Sequence, residues 1–420
     1  MTARRMSAYQ STRIGSSLWR AWRHVRQKGQ RSSSRETRDS VRQFDQTAET
    51  HIRRISNQLD RGRFDFAPGI GVLQKKRGKK PRPIFVAPLE NRIVQRSILN
   101  TLQSTKSIEP YIKSTLSYGA RGVPLAIEDA YKILTREAKY YVKSDIVGFF
   151  TDIPRPVPLR KIESAIPERR FINLLDEATK AELANLEELE EEAGLFPDDE
   201  LGIAQGCALS CLMGDVLLHE FDRKMTGRGI FCLRYIDDFL LLGPTKRHVD
   251  KAFVSAQDEL GKFGLRAYDP YSECEKAAAG RIEDGFEFLG CEIHPGIIRP
   301  SREAKKHLLN QIDRLLADSY SRMKESHGLP HDLSLVGTLQ DVHHRVMGWG
   351  NQYWFCNDRQ NFTAMDAKID SRIRKYLGRY TERRRNIDGL ADMAKFQRRL
   401  LGVHLLSESK SNPIALRLTE

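Results

Sequence analysis

The segment Arg234-Tyr235-Ile236-Asp237-Asp238-Phe239-Leu240-Leu241-Leu242 constrains this chain more than any other. It reads as two apolar strands, Phe231 to Leu233 and Phe239 to Leu242, joined by a tight acidic turn. Two adjacent acids between apolar strands are costly to bury unless a cation neutralises them. A hairpin that projects carboxylates from its tip is a ligand set for a hard divalent metal. Read alone it is equally an ordinary polar turn, because Asp is common in turns.

Asp145 changes that balance. It sits inside an apolar strand expected over Tyr140 to Phe150. A lone strand Asp is usually an edge or solvent-facing residue. An acid here together with the acidic hairpin downstream suits two-metal catalysis, in which two magnesium ions about 4 Å apart activate a 3′-hydroxyl and stabilise leaving pyrophosphate. Such acids must come from separate strands to converge on both ions.

The rest of the pattern supplies a frame. A basic loop, Lys75 to Arg82, runs into the apolar strand Ile84-Phe85-Val86, and a helix begins at Asn91. Further helices are expected over Leu125–Glu137, Asp176–Glu192, Leu209–Phe221 and Val249–Phe263, and a strand over Phe286–Ile293. From Arg302 the pattern is helical to near the end. The first sixty residues are polar and Arg-rich, with one helix expected around Leu18 to Arg26.

Length and charge set the class. With 420 residues the chain exceeds one ordinary core. Lys plus Arg number 69 against 55 Asp plus Glu, a net charge of +14. That excess favours a polyanionic partner, most simply nucleic acid, although a solvated basic surface gives the same number. No apolar run reaches the length that spans a bilayer. The Arg- and Ser-rich start has no acid before Glu36. It fits a helix docking on RNA or protein, and also a mitochondrial presequence; a cytoplasmic location is expected. The six cysteines lack C-x-x-C spacing and read as reduced core residues.

The ordered motifs resemble reverse transcriptases of the bacterial, group-II-intron-like lineage. A fingers motif appears in Gly78-Lys79-Lys80-Pro81-Arg82-Pro83-Ile84 with Asn91-Arg92-Ile93-Val94-Gln95, followed by Ser117-Tyr118-Gly119-Ala120-Arg121-Gly122. Palm motifs follow at Asp145-Ile146-Val147-Gly148-Phe149-Phe150, at Ala204-Gln205-Gly206-Cys207-Ala208-Leu209-Ser210, and at the Tyr235–Asp238 turn. Lys276, Phe288-Leu289-Gly290 and the thumb-like Gly348-Trp349-Gly350-Asn351-Gln352-Tyr353 come next, in order. Each is weak alone; the ordered series is specific.

The resemblance implies an α+β right-hand polymerase with fingers, an antiparallel-sheet palm and a helical thumb. Its parts fall at 1–64 for a basic extension, 65–138 for fingers, 139–298 for palm with an insertion at about 153–200, and 299–420 for thumb and tail. It implies Asp145, Ile146, Asp237 and Asp238 as ligands of two Mg²⁺ ions, or Mn²⁺. Lys75, Lys79, Arg82, Phe149, Phe150, Gln205, Gly206 and Tyr235 become nucleotide-binding residues. Phe150, five residues after Asp145, stands where the family places its steric gate against a 2′-hydroxyl. Lys276 is the proton donor to pyrophosphate, or a plain surface lysine. Phe288, Leu289 and Gly290 hold the primer. The implied partners are an RNA template, a DNA primer and product, and dNTPs.

This chain departs from the family pattern at Ala204 and Cys211, where Pro is common, at Asp215, where Asn is common, and at Ile236, where Ala is frequent. Those departures argue against a standard intron-encoded maturase, and the elements typical of retron enzymes are absent. The expectation is a compact, defence-associated or abortive-infection type that copies a dedicated non-coding RNA. The alternatives are an RNA-binding splicing cofactor and an untemplated or protein-primed polymerase, with Tyr9 and Tyr380 among candidate priming residues.

Overall fold

The computed structural model describes residues 6–32, 34–76, 79–112, 122–134, 138–198, 200–227, 229–272, 275–324 and 334–385. Expectations for Ser117 to Arg121 and for one of the six cysteines, Cys274, lie outside these residues, as do those for the side chains of Lys75 and Lys79. The fold is a mixture of helices and antiparallel sheets in two compact units, Met1–Ile282 and Glu283–Glu420. No helix among the described residues is long and apolar enough to cross a membrane.

The first unit begins with four helices where the sequence suggested one: α1 (Ala8–Arg13), α2 (Gly15–Gln30), α3 (Arg35–Gln46) and α4 (Ala48–Asp60). Leu18, Trp22, Val41, Ile52, Ile55 and Leu59 are buried at helical spacing. Trp22 packs on Phe44 with ring centroids 4.5 Å apart. Gly29 lets α2 approach α3, because a Cβ there would meet Val41 at 2.5 Å. The Tyr9 hydroxyl donates to the Leu59 carbonyl at 2.5 Å, and Ser97 donates to the Thr12 carbonyl at 2.7 Å. The segment is thus a packed part of this unit.

Two strands follow, β1 (Ile70–Lys76) and β2 (Lys79–Val86), an antiparallel hairpin. Helices α5 (Leu89–Ser104), α6 (Glu109–Ile112) and α7 (Val123–Leu134) lead to β3 (Tyr140–Asp145). The strand ends at Asp145, earlier than the sequence pattern indicated. Gly148 adopts φ 57° and starts the short helix α8 (Phe149–Asp152), so Phe149 and Phe150 leave the sheet. Helices α9 (Pro156–Ala165) and α10 (Arg169–Thr179) come next.

The acidic helix expected over Asp176–Glu192 is broken. Helix α10 stops at Thr179, and only α11 (Leu186–Leu189) and a 3₁₀ segment, Glu190–Leu195, follow. The segment between docks on β1: the Asn185 side chain accepts from Gly71 N at 2.8 Å and donates to Gly71 O at 3.0 Å. A Cβ on Gly71 would meet Leu189, Phe196 and Leu183 within 3 Å. These side-chain bonds to the β1 main chain outcompete local helix propensity, a weak preference that tertiary contacts override.

Helix α12 (Ser210–Met225) precedes β4 (Phe231–Tyr235) and β5 (Asp238–Gly243); α13 (Lys246–Gly261) and β6 (Ala277–Arg281) complete the unit. The palm sheet has the order β4-β5-β3-β6, all neighbours antiparallel. Its core joins Val142, Phe239, Leu241, Leu217 and Phe221.

The second unit has a three-stranded sheet, β7 (Phe286–Phe288), β8 (Cys291–His294) and β9 (Ile297–Pro300), and three helices, α14 (Arg302–Lys324), α15 (Leu335–Gln352) and α16 (Arg359–Arg385). The single strand expected over Phe286–Ile293 is a hairpin. Leu289 and Gly290 take φ 49° and 77°, the positive values that a two-residue I′ turn needs. Leu308, Ile312, Leu316, Ile369 and Tyr376 form the helical core, where Ser319 bonds both Thr338 and Tyr376 at 2.8 Å. The two units divide at 282/283, and among the described residues β7–β9 pair with one another.

Candidate active site on the palm sheet

Strands β3 and β5 bring the acids together. Their register pairs Asp145 with Asp238. Ile146 N donates to Asp237 O at 3.0 Å on the adjacent rung. Asp145 and Asp238 therefore form a non-hydrogen-bonded pair, the kind that holds Cα atoms about 4.5 Å apart with side chains close. Asp237 lies on the turn between β4 and β5. All three acids are partly buried.

Burial raises the Asp237 carboxyl, and the charge of Asp145 raises it further. Asp238 is pushed up to about 9 by burial, by a hydrogen bond with Asp145 and by the charges of Asp145 and Asp237. Lys276 offers partial compensation, with its ammonium 3.4 Å from Asp145. Burial alone would lower the Lys276 pKa, but Asp145 outweighs it and the net shift is upward. This is a carboxylate cluster short of positive charge.

Among the described residues no group of three or more His, Cys, Asp or Glu side chains is arranged to hold a metal ion. The donor set nevertheless suits a hard divalent cation. It consists of carboxylate oxygens, with Asp145 and Asp238 paired in register and burial raising the pKa of Asp237 and Asp238, a cost that a cation would offset. Asp145, Asp237 and Asp238 are the carboxylates that β3, β5 and the turn between β4 and β5 bring to this end of the sheet.

The fingers hairpin meets the palm beside these acids. Phe85 N donates to Gln205 O at 2.9 Å, which docks β2 on the loop before α12. Arg82 donates to the Gln205 side chain, and its charge is felt at Asp237. Gly206 has φ 119°, and a Cβ there would meet the Phe85 carbonyl at 2.5 Å. The structure thus joins Arg82, Gln205 and Gly206 to the acidic turn. Tyr235 is half-buried, and burial raises its pKa.

The two phenylalanines separate. Phe149 is 3% exposed and packs on Gly214, where a Cβ would meet its ring at 2.8 Å. Its grouping with the nucleotide-binding residues is therefore corrected to a core role. Phe150 stays half-buried, its ring 5.3 Å from that of Phe149, with its carbonyl held by Ile203 N at 2.7 Å.

Other expectations fare differently. Tyr9 and Tyr380 are 6% and 3% exposed, so neither presents a priming hydroxyl in this conformation. On α2, Trp22 is 1% exposed and part of the core, whereas Trp19 is 37% exposed. Of the arginines on these helices, Arg13 pairs with Asp60, Arg26 with Asp45 and, on α16, Arg372 with Asp313. Cys211 is exposed, unlike the buried Cys207, Cys232, Cys291 and Cys356. Phe288, Leu289 and Gly290 form the β7–β8 turn of the second unit; Ser301 N donates to Gly290 O at 2.8 Å. Sequence reasoning missed Arg234, which is fully buried beneath the acidic turn. The signal was present as Asp215 and Asp222, seven residues apart and so on the face of α12 that carries Leu212, Leu218 and Met225 into the core.

Comparison with known proteins bears on this arrangement. A family model described as reverse transcriptase (RNA-dependent DNA polymerase) matches residues 74–293, just over half of the chain. Protein YkfC of Escherichia coli (strain K12) is 25% identical over 313 residues, covering 64% of this chain and 76% of that protein. Group II intron-encoded protein LtrA of Lactococcus lactis subsp. cremoris is 27% identical over 180 residues, covering 42% of this chain and 28% of that protein. Among solved structures, apo telomerase from Candida tropicalis aligns with a TM-score of 0.41 at 14% identity, covering 80% of this chain and 68% of that one.

Proposed function

Since the chain belongs to the reverse transcriptase (RNA-dependent DNA polymerase) family, we propose that it extends a DNA primer on an RNA template by two-metal nucleotidyl transfer at Asp145, Asp237 and Asp238. The observation that carries this reading is the Asp145–Asp238 pair across β3 and β5, with Asp237 beside it and too little built-in positive charge for three partly buried acids. Mg²⁺ bound there supplies activation of the primer 3′-hydroxyl and charge stabilisation of the leaving pyrophosphate.

The chain's own groups do the rest. Arg82 grips the triphosphate as a charge-assisted donor, oriented by Gln205. Gly206 lets the main chain lie against the incoming nucleotide. The half-buried Phe150 ring fills the space a 2′-hydroxyl would need. Lys276 stays an ammonium beside Asp145, holding a proton for the pyrophosphate. Phe288, Leu289 and Gly290 support the primer end through their tight turn.

We further propose that the template is a dedicated non-coding RNA serving antiphage defence, on the strength of the departures at Ala204, Cys211, Asp215 and Ile236. The intron-encoded relative keeps a splicing cofactor as the second reading.

Primer extension on an RNA template with labelled dNTPs tests the activity. Synthesis is expected with Mg²⁺, to disappear on chelation and to return on Mg²⁺ addition. Chelator-insensitive synthesis would sink the metal assignment. Sequencing of co-purified RNA tests the template: one recurrent non-coding species supports the defence reading, and intron RNA supports the other.

A further inference from the structure

The largest buried charge in the palm belongs to neither the acidic cluster nor the nucleotide contacts. Arg234, next to last in β4, has no exposed surface. Helix α12 presents Asp215 and Asp222 two turns apart, hence on one face, and both are buried against it. The guanidinium is committed on every side. Its Nε donates to Asp222 Oδ1 at 2.6 Å; its Nη2 donates to Asp222 Oδ2 at 2.7 Å and to Asp215 Oδ1 at 3.1 Å. Burial works against the charge, but the two aspartates outweigh it, so the group stays protonated.

The remaining bond points at the site. Arg234 Nη1 donates to the Ile236 carbonyl at 2.8 Å. Ile236 has φ 62°. A β-branched residue in the left-handed region is a true outlier. Such strain persists only where the surroundings over-determine it. The carbonyl that Arg234 holds belongs to the peptide entering Asp237, and the next carbonyl, that of Asp237, accepts from Ile146 N at 3.0 Å. Asp237 is therefore gripped on both sides, by the buried guanidinium and by the strand that carries Asp145.

We propose that Arg234 is a positioning residue for nucleotidyl transfer. Asp215 and Asp222 hold its guanidinium rigid, so that it locks Ile236 in the left-handed conformation and sets Asp237 relative to Asp145. The proposal rests on the polymerase reading above, and the experiment separates the two.

Arg234→Lys keeps a positive charge for both aspartates but lacks the planar fork that spans Asp222 and the Ile236 carbonyl. In primer extension it should lower kcat by about a hundredfold, the scale of a small misplacement of catalytic groups. Template–primer Kd should stay within about twofold of the parent, since phosphate contacts dominate it. The Mg²⁺ concentration for half-maximal activity should rise. Ile236→Gly supplies a residue that takes positive φ without strain. Added to Arg234→Lys, it should restore about tenfold of the lost kcat, a rescue that a purely structural ion pair would not show. Should Arg234→Lys fail to fold, the same comparison is made in Asp222→Asn, which loosens the guanidinium. A double variant no faster than its parent single variant, or a kcat loss that only tracks the loss of folded protein by circular dichroism, would overturn the proposal. Absence of synthesis by the unmutated chain would instead overturn the polymerase reading.

Discussion

Asp215 and Asp222 share one buried guanidinium, whereas Asp145 and Asp238, on the sheet beside them, face each other across two strands. Both clusters put carboxylates into the palm, and they differ in where the positive charge resides. In the first it is covalently part of the chain, permanent and aimed. In the second, Lys276 stands 3.4 Å from one acid, and burial drives the others toward the neutral form. A carboxylate that the fold has already neutralised serves packing and geometry. One that it leaves under-neutralised in an accessible position is where an exchangeable cation can act.

Four experiments press on that contrast. The largest effect is expected from replacing Asp237 and Asp238 together with Ala. DNA synthesis should fall at least about a thousandfold, roughly 4 kcal/mol of barrier. RNA affinity should hold, because Lys and Arg contacts to phosphate supply it. The melting temperature should not fall, because the change removes two partly buried carboxyl groups whose polarity the fold does not fully compensate. Normal incorporation by this variant would overturn the assignment of the site.

The opposite signature is expected from Asp222→Ala. Removing one partner of the buried triad leaves Arg234 under-compensated, a loss of about 3–5 kcal/mol of stability. Urea unfolding reads this directly, and an unchanged midpoint would mean that the two clusters are not distinguished by built-in charge.

A smaller effect falls on substrate choice. Phe150→Val should erode discrimination against ribonucleotides by roughly ten- to a hundredfold, about 1–3 kcal/mol. Competition between dNTPs and rNTPs measures it. Selectivity as strict as the parent's would place the gate elsewhere. Phe149 is a poor second candidate, since it is buried against Gly214.

The smallest effect contrasts paired with unpaired surface charge on the N-terminal helices. Arg20 and Arg23 are exposed, while Arg13 and Arg26 are drawn into ion pairs with Asp60 and Asp45. Replacing Arg20 and Arg23 with Ala should reduce the salt slope of RNA binding by about one to two. Replacing Arg13 and Arg26 should change it less. Equal slopes for both pairs would remove the N-terminal helices from the RNA-binding surface.

Much of the site was legible because its chemistry restricts residue identity. The acidic turn alone reads equally as a polar turn. An acid inside a second apolar strand made the meeting of Asp145 with Asp237 and Asp238 an expectation, and β3 and β5 do bring them together. The spacing of Asn91 to Leu99 likewise matched α5. The N-terminal helices were harder. Val41, Phe44, Ile52, Ile55 and Leu59 keep helical spacing, but Arg, Gln and Asp between them dilute the apolar signal. Only packing of α1 and α2 on α5 supplies the burial that stabilises such short helices, which are marginal alone.

The sequence by itself determined the local chemistry: which strand carries Asp145 and where the chain must turn at Ile236. Tertiary structure decided everything that depends on residues far apart in the chain. It broke the acidic segment at Asn185 by pairing it with Gly71, sent Phe149 inward and left Phe150 half-buried, and placed Asp215 and Asp222 around Arg234. The reason is physical. Period and propensity record the interactions of neighbours along the chain. The pairing of a buried charge and the orientation of a strained carbonyl are set by groups that meet only once the core has closed.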